Sequence, residues 1–232
     1  NDLSLIVLCL EFSSNLNIEF IRQSSSTTGK PKKIFLTKHD LNHWARAGRL
    51  NITPYFKKGM TVAHSRRREK NYLSSLDKSV KESGGKIITF DPHKTKDVLN
   101  CVKEADVILD YSELIYYISE LVKTKKTNLN KSIILSYTGN RLDKQDLIKI
   151  KNNFEKIGVK AEIYSEYATT EIGPIGCSDN KNNNLFENIY DDIAFIEVVD
   201  PNTNQPSQNG EIVVTTLNRT GSVYIRYKVE DI

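Results

Sequence analysis

The 232-residue chain is longer than one small domain and shorter than two average ones, at roughly 150 residues per domain. Its 38% hydrophobic and 27% charged residues set aside wholesale disorder, and its longest apolar run, Leu5 to Leu10, falls far short of the ~20 residues of a membrane span. A net charge of +4 does not by itself argue for nucleic acid. The three cysteines, Cys9, Cys101 and Cys177, are too widely spaced for a disulfide framework or a zinc motif, so the cytoplasm is the expected compartment.

In chain order, Leu5–Leu10 reads as a buried strand, because no basic residue precedes it and no small-residue cleavage site follows. A hydroxyl-rich stretch, Ser24 to Lys32, leads into the apolar Ile34-Phe35-Leu36. His39 and His43 stand four apart on an expected helix, where Trp44 points to packing rather than metal binding. A second helix is expected from about residue 66 to residue 83, closed by Gly84-Gly85. The runs 86–90, 106–110, 132–137 and 160–164 are short, apolar and rich in β-branched residues, and read as strands. Between them, Leu114, Ile115, Ile118, Leu121 and Val122 form a helical stripe behind the candidate N-cap Ser112. Leu147, Ile150, Phe154 and Ile157 form another, stopped by Gly158. This alternation predicts an α/β fold, a mainly parallel sheet with helices on both faces.

After Tyr164 the pattern changes. A polar loop, residues 179–184, precedes three strand-like runs at 193–199, 211–217 and 223–227, joined by turn residues with no helix between. They predict an antiparallel β meander. The expected division is an N-terminal segment 1–20 without assigned role, an α/β nucleotide-binding core 21–175 and a β subdomain 176–232. Charge divides similarly: residues 1–164 carry +11 and residues 165–232 carry −7. That asymmetry suits an anionic ligand on the first part, although Lys-rich helix surfaces produce it equally well.

Three segments could carry chemistry. Ser24, Ser25, Ser26, Thr27, Thr28, Gly29, Lys30 and Lys32 gather hydroxyls, a glycine and two lysines that can wrap a polyphosphate. Ser24 and Pro31 exclude a Walker A loop, and composition alone favours a Ser/Thr-rich linker over a ligand site. Tyr167-Ala168-Thr169-Thr170-Glu171 follows a strand, where ligands of open α/β sheets sit. A hydroxyl beside a carboxylate suits Mg²⁺, yet Thr170 and Glu171 can equally open a helix. The third, Ile225 to Ile232, contains Asp231, which alone reads as a turn residue.

Taken in this order, the segments resemble the adenylate-forming superfamily, within it the phenylacetate–CoA ligase-like branch. Ser24–Lys32 is similar to that family's phosphate loop, [ST]-[SG]-G-T-T-G-x-P-K, and Tyr167–Glu171 to its Y-G-x-T-E segment. Gly210–Leu217, with Tyr224–Tyr227 and Asp231-Ile232, resembles G-E-[LI]-V-x-T-x-L followed by x-I-R-Y-R-x-x-D-[IL]. The resemblance runs from near residue 20 to the last residue. It implies that Ser24 to Lys32 hold the β- and γ-phosphates of ATP, that Tyr167 lies against adenine, that Thr170 stands near the α-phosphate, and that Glu171 binds Mg²⁺. It further implies that Asp231 accepts from the ribose hydroxyls and that the Thr138-Gly139-Asn140 loop lines the adenine pocket.

Ser26, Ala168 and Asn140 depart from the family pattern, standing where Gly, Gly and Glu are usual. The resemblance covers the large domain alone, so the family's small C-terminal domain, with its catalytic lysine, is not expected within residues 1–232. The implied activity is ATP-dependent activation of a carboxylic acid to an acyl-adenylate, then transfer to the thiol of CoA. A protein-bound acyl-carrier thiol as acceptor, or a catalytically incomplete nucleotide-binding scaffold, stays open at this point. The expected partners are a small carboxylic acid, ATP, Mg²⁺ and CoA, with no nucleic acid and no membrane span. The acid is not legible in the sequence, and a homodimer is neither required nor excluded. Arg66-Arg67-Arg68 reads as a solvated helix start rather than a CoA contact, and Cys177 as a small apolar filler.

Overall fold

The computed structural model describes residues 17–23, 32–65, 72–125, 128–179, 188–189 and 193–229. The expected Leu5–Leu10 strand, the stretch from Ser24 to Pro31, Arg66-Arg67-Arg68 and Asp231 lie outside them. In chain order the elements are β1 (Ile18–Gln23), β2 (Lys33–Thr37), α1 (Lys38–Ile52), β3 (Thr61–His64), α2 (Tyr72–Glu82), β4 (Lys86–Thr89), α3 (Thr95–Glu104), β5 (Val107–Tyr111), α4 (Ser112–Val122) and β6 (Lys131–Thr138). Then follow α5 (Lys144–Glu155), β7 (Val159–Thr169), β8 (Gly173–Ser178), β9 (Asn188–Ile189), β10 (Ala194–Val199), β11 (Glu211–Thr216) and β12 (Tyr227–Lys228). The chain divides into two units, one of residues 48–167 and 176–188, the other of residues 1–47, 168–175 and 189–232.

The seven-stranded sheet is ordered β4-β3-β5-β6-β7-β8-β9, and its parallel strands, β4 through β7, fall almost wholly in the first unit. Successive strand residues face opposite sides, and each side has its own core. Ala63, Ile108, Ile133, Leu135 and Ile163 pack with Val98 and Val102 of α3, Ile115 and Ile118 of α4, and Ile150 and Phe154 of α5. Val62, Val107, Leu109 and Tyr164 pack on the other side with Ile52, Tyr55 and Val80. Helices on both faces follow from the strand order, because the right-handed crossover from β3 to β4 runs opposite to the later ones. The expected α/β class is borne out.

The second unit holds the antiparallel pair β1-β2 and the antiparallel sheet β10-β11-β12. β2 is tied to the turn before β12: Phe35 N–H donates to Ser222 Oγ at 2.9 Å, and Ser222 N–H donates to Phe35 O at 2.8 Å. Gly221 is required there, since a Cβ would lie 2.2 Å from Phe35 O. Gly173 is required for a different reason. It sits at φ +90° with its missing Cβ 2.5 Å from the Trp44 indole, so Gly173→Ala should cost about 1–3 kcal/mol through strain and overpacking. A urea midpoint lowered at unchanged slope is the expected reading; an unmoved midpoint would show that the Trp44 contact yields freely.

Several expected boundaries shift. The strand expected at 160–164 runs on to Thr169, because its residues keep pairing or packing past the apolar run, so Tyr167 lies within β7 rather than after it. The strand expected at 223–227 is reduced to Tyr227–Lys228: Arg226 takes φ +49°, which breaks the extended run. Ser112 is the first residue of α4 and Tyr111 is its N-cap, so Ser112 does not cap the helix. Asp143 caps α5 instead, accepting from Asp146 N–H. No helix opens at Thr170 and Glu171; residues 170–172 form the turn between β7 and β8.

Candidate functional site

In the unit that contains Glu171, three segments remote in sequence meet on one phenol. Lys32 Nζ donates to Tyr227 Oη at 3.2 Å, with Nζ 5.0 Å from the ring centroid, and Tyr227 O–H donates to Glu171 Oε1 at 3.2 Å. Tyr227 is buried and its ring packs on Tyr224, with centroids 4.9 Å apart, which fixes the hydroxyl between cation and carboxylate. Antiparallel pairing of Val214 with Tyr227 sets its height along β11.

Glu171 stands on a turn held from two sides. Thr169 Oγ1 accepts from Ile172 N–H at 3.0 Å. The Arg219 guanidinium donates from Nη2 to Glu171 O at 3.3 Å and from Nη1 to Ile172 O at 3.1 Å. Arg219 is itself paired with Asp40, Nε to Oδ1 at 3.8 Å, and both are buried. Burial alone would push the Asp40 carboxyl up. Hydrogen bonds from the Thr37, Thr220 and Gly221 backbone together with the Arg219 charge outweigh it and hold the carboxyl below its ordinary value.

The other unit carries the remaining predicted residues that are described. β6 ends at Thr138 and turns at Gly139 with φ +94°. Asn140 Nδ2 donates to Glu113 Oε1 at 2.6 Å, which anchors the loop on the first turn of α4. Tyr137 pairs with Ser165 in the parallel register, so this loop leaves β6 at the level where β7 continues into Tyr167. One residue before Tyr167, Glu166 Oε1 accepts from Ser136 Oγ at 2.9 Å and Tyr55 Oη at 3.0 Å, and Oε2 from Asn51 Nδ2 at 3.4 Å. Burial, and then the Glu166 charge, push the Tyr55 hydroxyl well above its ordinary value, so it stays a donor.

Of the predicted residues, Lys32 and Glu171 both bond the Tyr227 hydroxyl, whereas Thr138 ends β6, Gly139 and Asn140 follow it, and Tyr167 lies within β7, the strand beside β6. Thr170 makes no side-chain hydrogen bond among the described residues. Ser24 through Lys30 and Asp231 lie outside them. Sequence reasoning does not single out Asp40, Glu166 or Arg219, and it reaches Tyr227 only as part of a motif. A pairing between residues 40 and 219 leaves no local sequence signal.

A Mg²⁺ ion suits the donors present at Glu171. The carboxylate is half-buried, and its Oε2 takes no hydrogen bond from the described residues. Among those residues no three His, Cys, Asp or Glu side chains gather to hold a metal, so Glu171 would be a lone protein carboxylate on the ion. Nor is any described helix long and apolar enough to cross a membrane.

No family model matches the chain, and no curated protein matches it by sequence. Solved structures do share its fold. A 2-hydroxyisobutyryl-CoA ligase in complex with 2-HIB-AMP and CoA superposes with TM-score 0.65 at 18% identity, over 91% of this chain and 46% of that one. A long-chain-fatty-acid–CoA ligase from Archaeoglobus fulgidus gives 0.68 at 13%, over 92% and 44%. The luciferase-like enzyme of the mealworm Zophobas morio gives 0.64 at 14%, over 93% and 52%. The chain thus spans about half the length of the proteins it resembles. What it shares with these proteins is the α/β fold.

Proposed function

We propose that this chain is the nucleotide-binding core of an acid–thiol ligase of the phenylacetate–CoA ligase-like branch, one that uses ATP and Mg²⁺ and transfers to CoA. The observation that carries the reading is the meeting of Lys32, Glu171 and Tyr227, because these residues come from the three motifs by which the sequence resembles that family. The 2-HIB-AMP and CoA bound to the hydroxyisobutyryl-CoA ligase support it further.

In this reading a carboxylate oxygen of the acid attacks the α-phosphorus of ATP. The bond from that phosphorus to the β-phosphate oxygen breaks, and pyrophosphate leaves with its electron pair. The thiol of CoA, losing its proton to solvent, then attacks the acyl carbon and AMP departs. Little proton chemistry is needed, so the protein's work is positioning and charge neutralisation. Mg²⁺, when bound, neutralises phosphate charge. Lys32 adds a positive charge beside the phosphates, and Tyr227 holds the Glu171 carboxylate in place. The family resemblance assigns Ser24 to Lys30 to the polyphosphate, Thr170 to the α-phosphate, and Tyr167 with the Thr138-Gly139-Asn140 loop to the adenine.

The test is pyrophosphate exchange into ATP by the full-length protein, driven in turn by aryl, short-chain and long-chain acids. Acid-dependent exchange is the expected result; exchange with none of them, in a protein that also fails to bind ATP, would overturn the reading. Asp231→Ala gives a second check. Two ribose hydroxyls donating to one carboxylate contribute roughly 1.5–3 kcal/mol, so ATP affinity should fall about 10- to 150-fold. A calorimetric affinity equal to wild type would remove Asp231 from the site.

A further inference from the structure

We propose that Arg219 is a positioning residue for Glu171: its two-pronged guanidinium, paired with Asp40, sets the backbone of the 170–172 turn and thereby the direction in which the Glu171 carboxylate leaves the chain. The inference rests on the reading of Glu171 as the carboxylate that meets the Mg²⁺–phosphate group.

The geometry is specific to this turn. Nη1 and Nη2 reach the carbonyls of two successive residues, Ile172 at 3.1 Å and Glu171 at 3.3 Å. The charge opposite the fork is fixed in place: Asp40, 3.8 Å from Arg219 Nε, accepts from the N–H groups of Thr37, Thr220 and Gly221, each at 2.9 Å. The guanidinium carbon also lies 5.3 Å from the centroid of the Trp44 ring, which closes the remaining face.

A buried charge pair is a costly way to fill space, and apolar residues of similar volume often serve stability as well or better. What they cannot provide is a planar pair of donors at fixed spacing. Lysine cannot provide it either, being a point charge on a flexible stem. Tyr227 and Arg219 therefore act at opposite ends of the same residue, the hydroxyl holding the tip of Glu171 and the guanidinium its root.

The decisive measurement is ATP affinity by calorimetry in the full-length protein, with Mg²⁺ and with a chelator, beside thermal unfolding. Arg219→Lys keeps the charge opposite Asp40 and should melt close to wild type. It should bind ATP normally in chelator but lose about tenfold of the affinity that Mg²⁺ adds. If that variant does not fold, Arg219→Gln combined with Asp40→Asn, which leaves no lone buried charge, should show the same selective loss. A folded variant with the full Mg²⁺ gain would overturn the inference and leave Arg219 as scaffold. A wild-type protein whose ATP affinity ignores Mg²⁺ would instead overturn the reading of Glu171, and this inference with it.

Discussion

Glu171→Gln is expected to abolish acid-dependent pyrophosphate exchange in the full-length protein while leaving its melting temperature within a few degrees. The two halves of that result have separate causes. Glutamine keeps the shape of glutamate, and its carbonyl oxygen can still accept the Tyr227 hydroxyl that Glu171 Oε1 accepts at 3.2 Å. The backbone contacts of the turn run through the Glu171 and Ile172 carbonyls to Arg219 and are untouched by the exchange. Stability should therefore hardly change. Activity should change greatly, because a neutral amide is a poor ligand for a hard cation beside phosphates. Losing one preorganised electrostatic contact at developing charge costs roughly 10²–10³ in rate. An unfolded variant would make Glu171 a structural residue, and wild-type exchange would take it out of the site.

How much of this was legible in the sequence depends on how local each signal is. The parallel sheet was legible because its strands are continuous apolar runs separated by helices with clear stripes. Phe154 and Ile150 of α5, and Ile115 and Ile118 of α4, all face the core that their spacing predicted. Boundaries were less so. β7 outlasts its apolar stretch because Ser165 keeps pairing with Tyr137 and Glu166 is satisfied by Ser136, Tyr55 and Asn51, none of which is sequence-adjacent. α3 went unread because Val98, Cys101 and Val102 make a stripe only three residues wide. In the candidate site, Lys32 and Glu171 stand out by the residue types around them and by motif resemblance, not by any periodicity. Asp40 and Arg219 were missed for a physical reason. One reads as an ordinary first-turn acid on α1 and the other as a turn residue, and only the folded chain, closing 179 residues, puts them 3.8 Å apart.

That pair carries the largest expected effect on stability. Asp40→Ala leaves the Arg219 guanidinium buried without its counter-charge and strips the Thr37, Thr220 and Gly221 N–H groups of their acceptor. Removing one partner of a buried pair typically costs about 3–5 kcal/mol, at least a fifth of the roughly 5–15 kcal/mol that an ordinary domain possesses. Removing both should hurt less: Asp40→Leu with Arg219→Met should be more stable than Asp40→Ala, since no uncompensated charge remains. The pH dependence follows from the lowered carboxyl. A group whose folded value lies below its unfolded one stabilises the fold fully above the unfolded value, near 3.9 for Asp, and loses that contribution as pH falls towards the folded value. Urea midpoints followed downwards from about pH 5 should therefore fall more steeply for the wild type than for the double variant, which has no carboxyl at this position to protonate. Midpoints that coincide across that range, or an Asp40→Ala variant as stable as the wild type, would show that the Asp40–Arg219 pair does not hold this unit together.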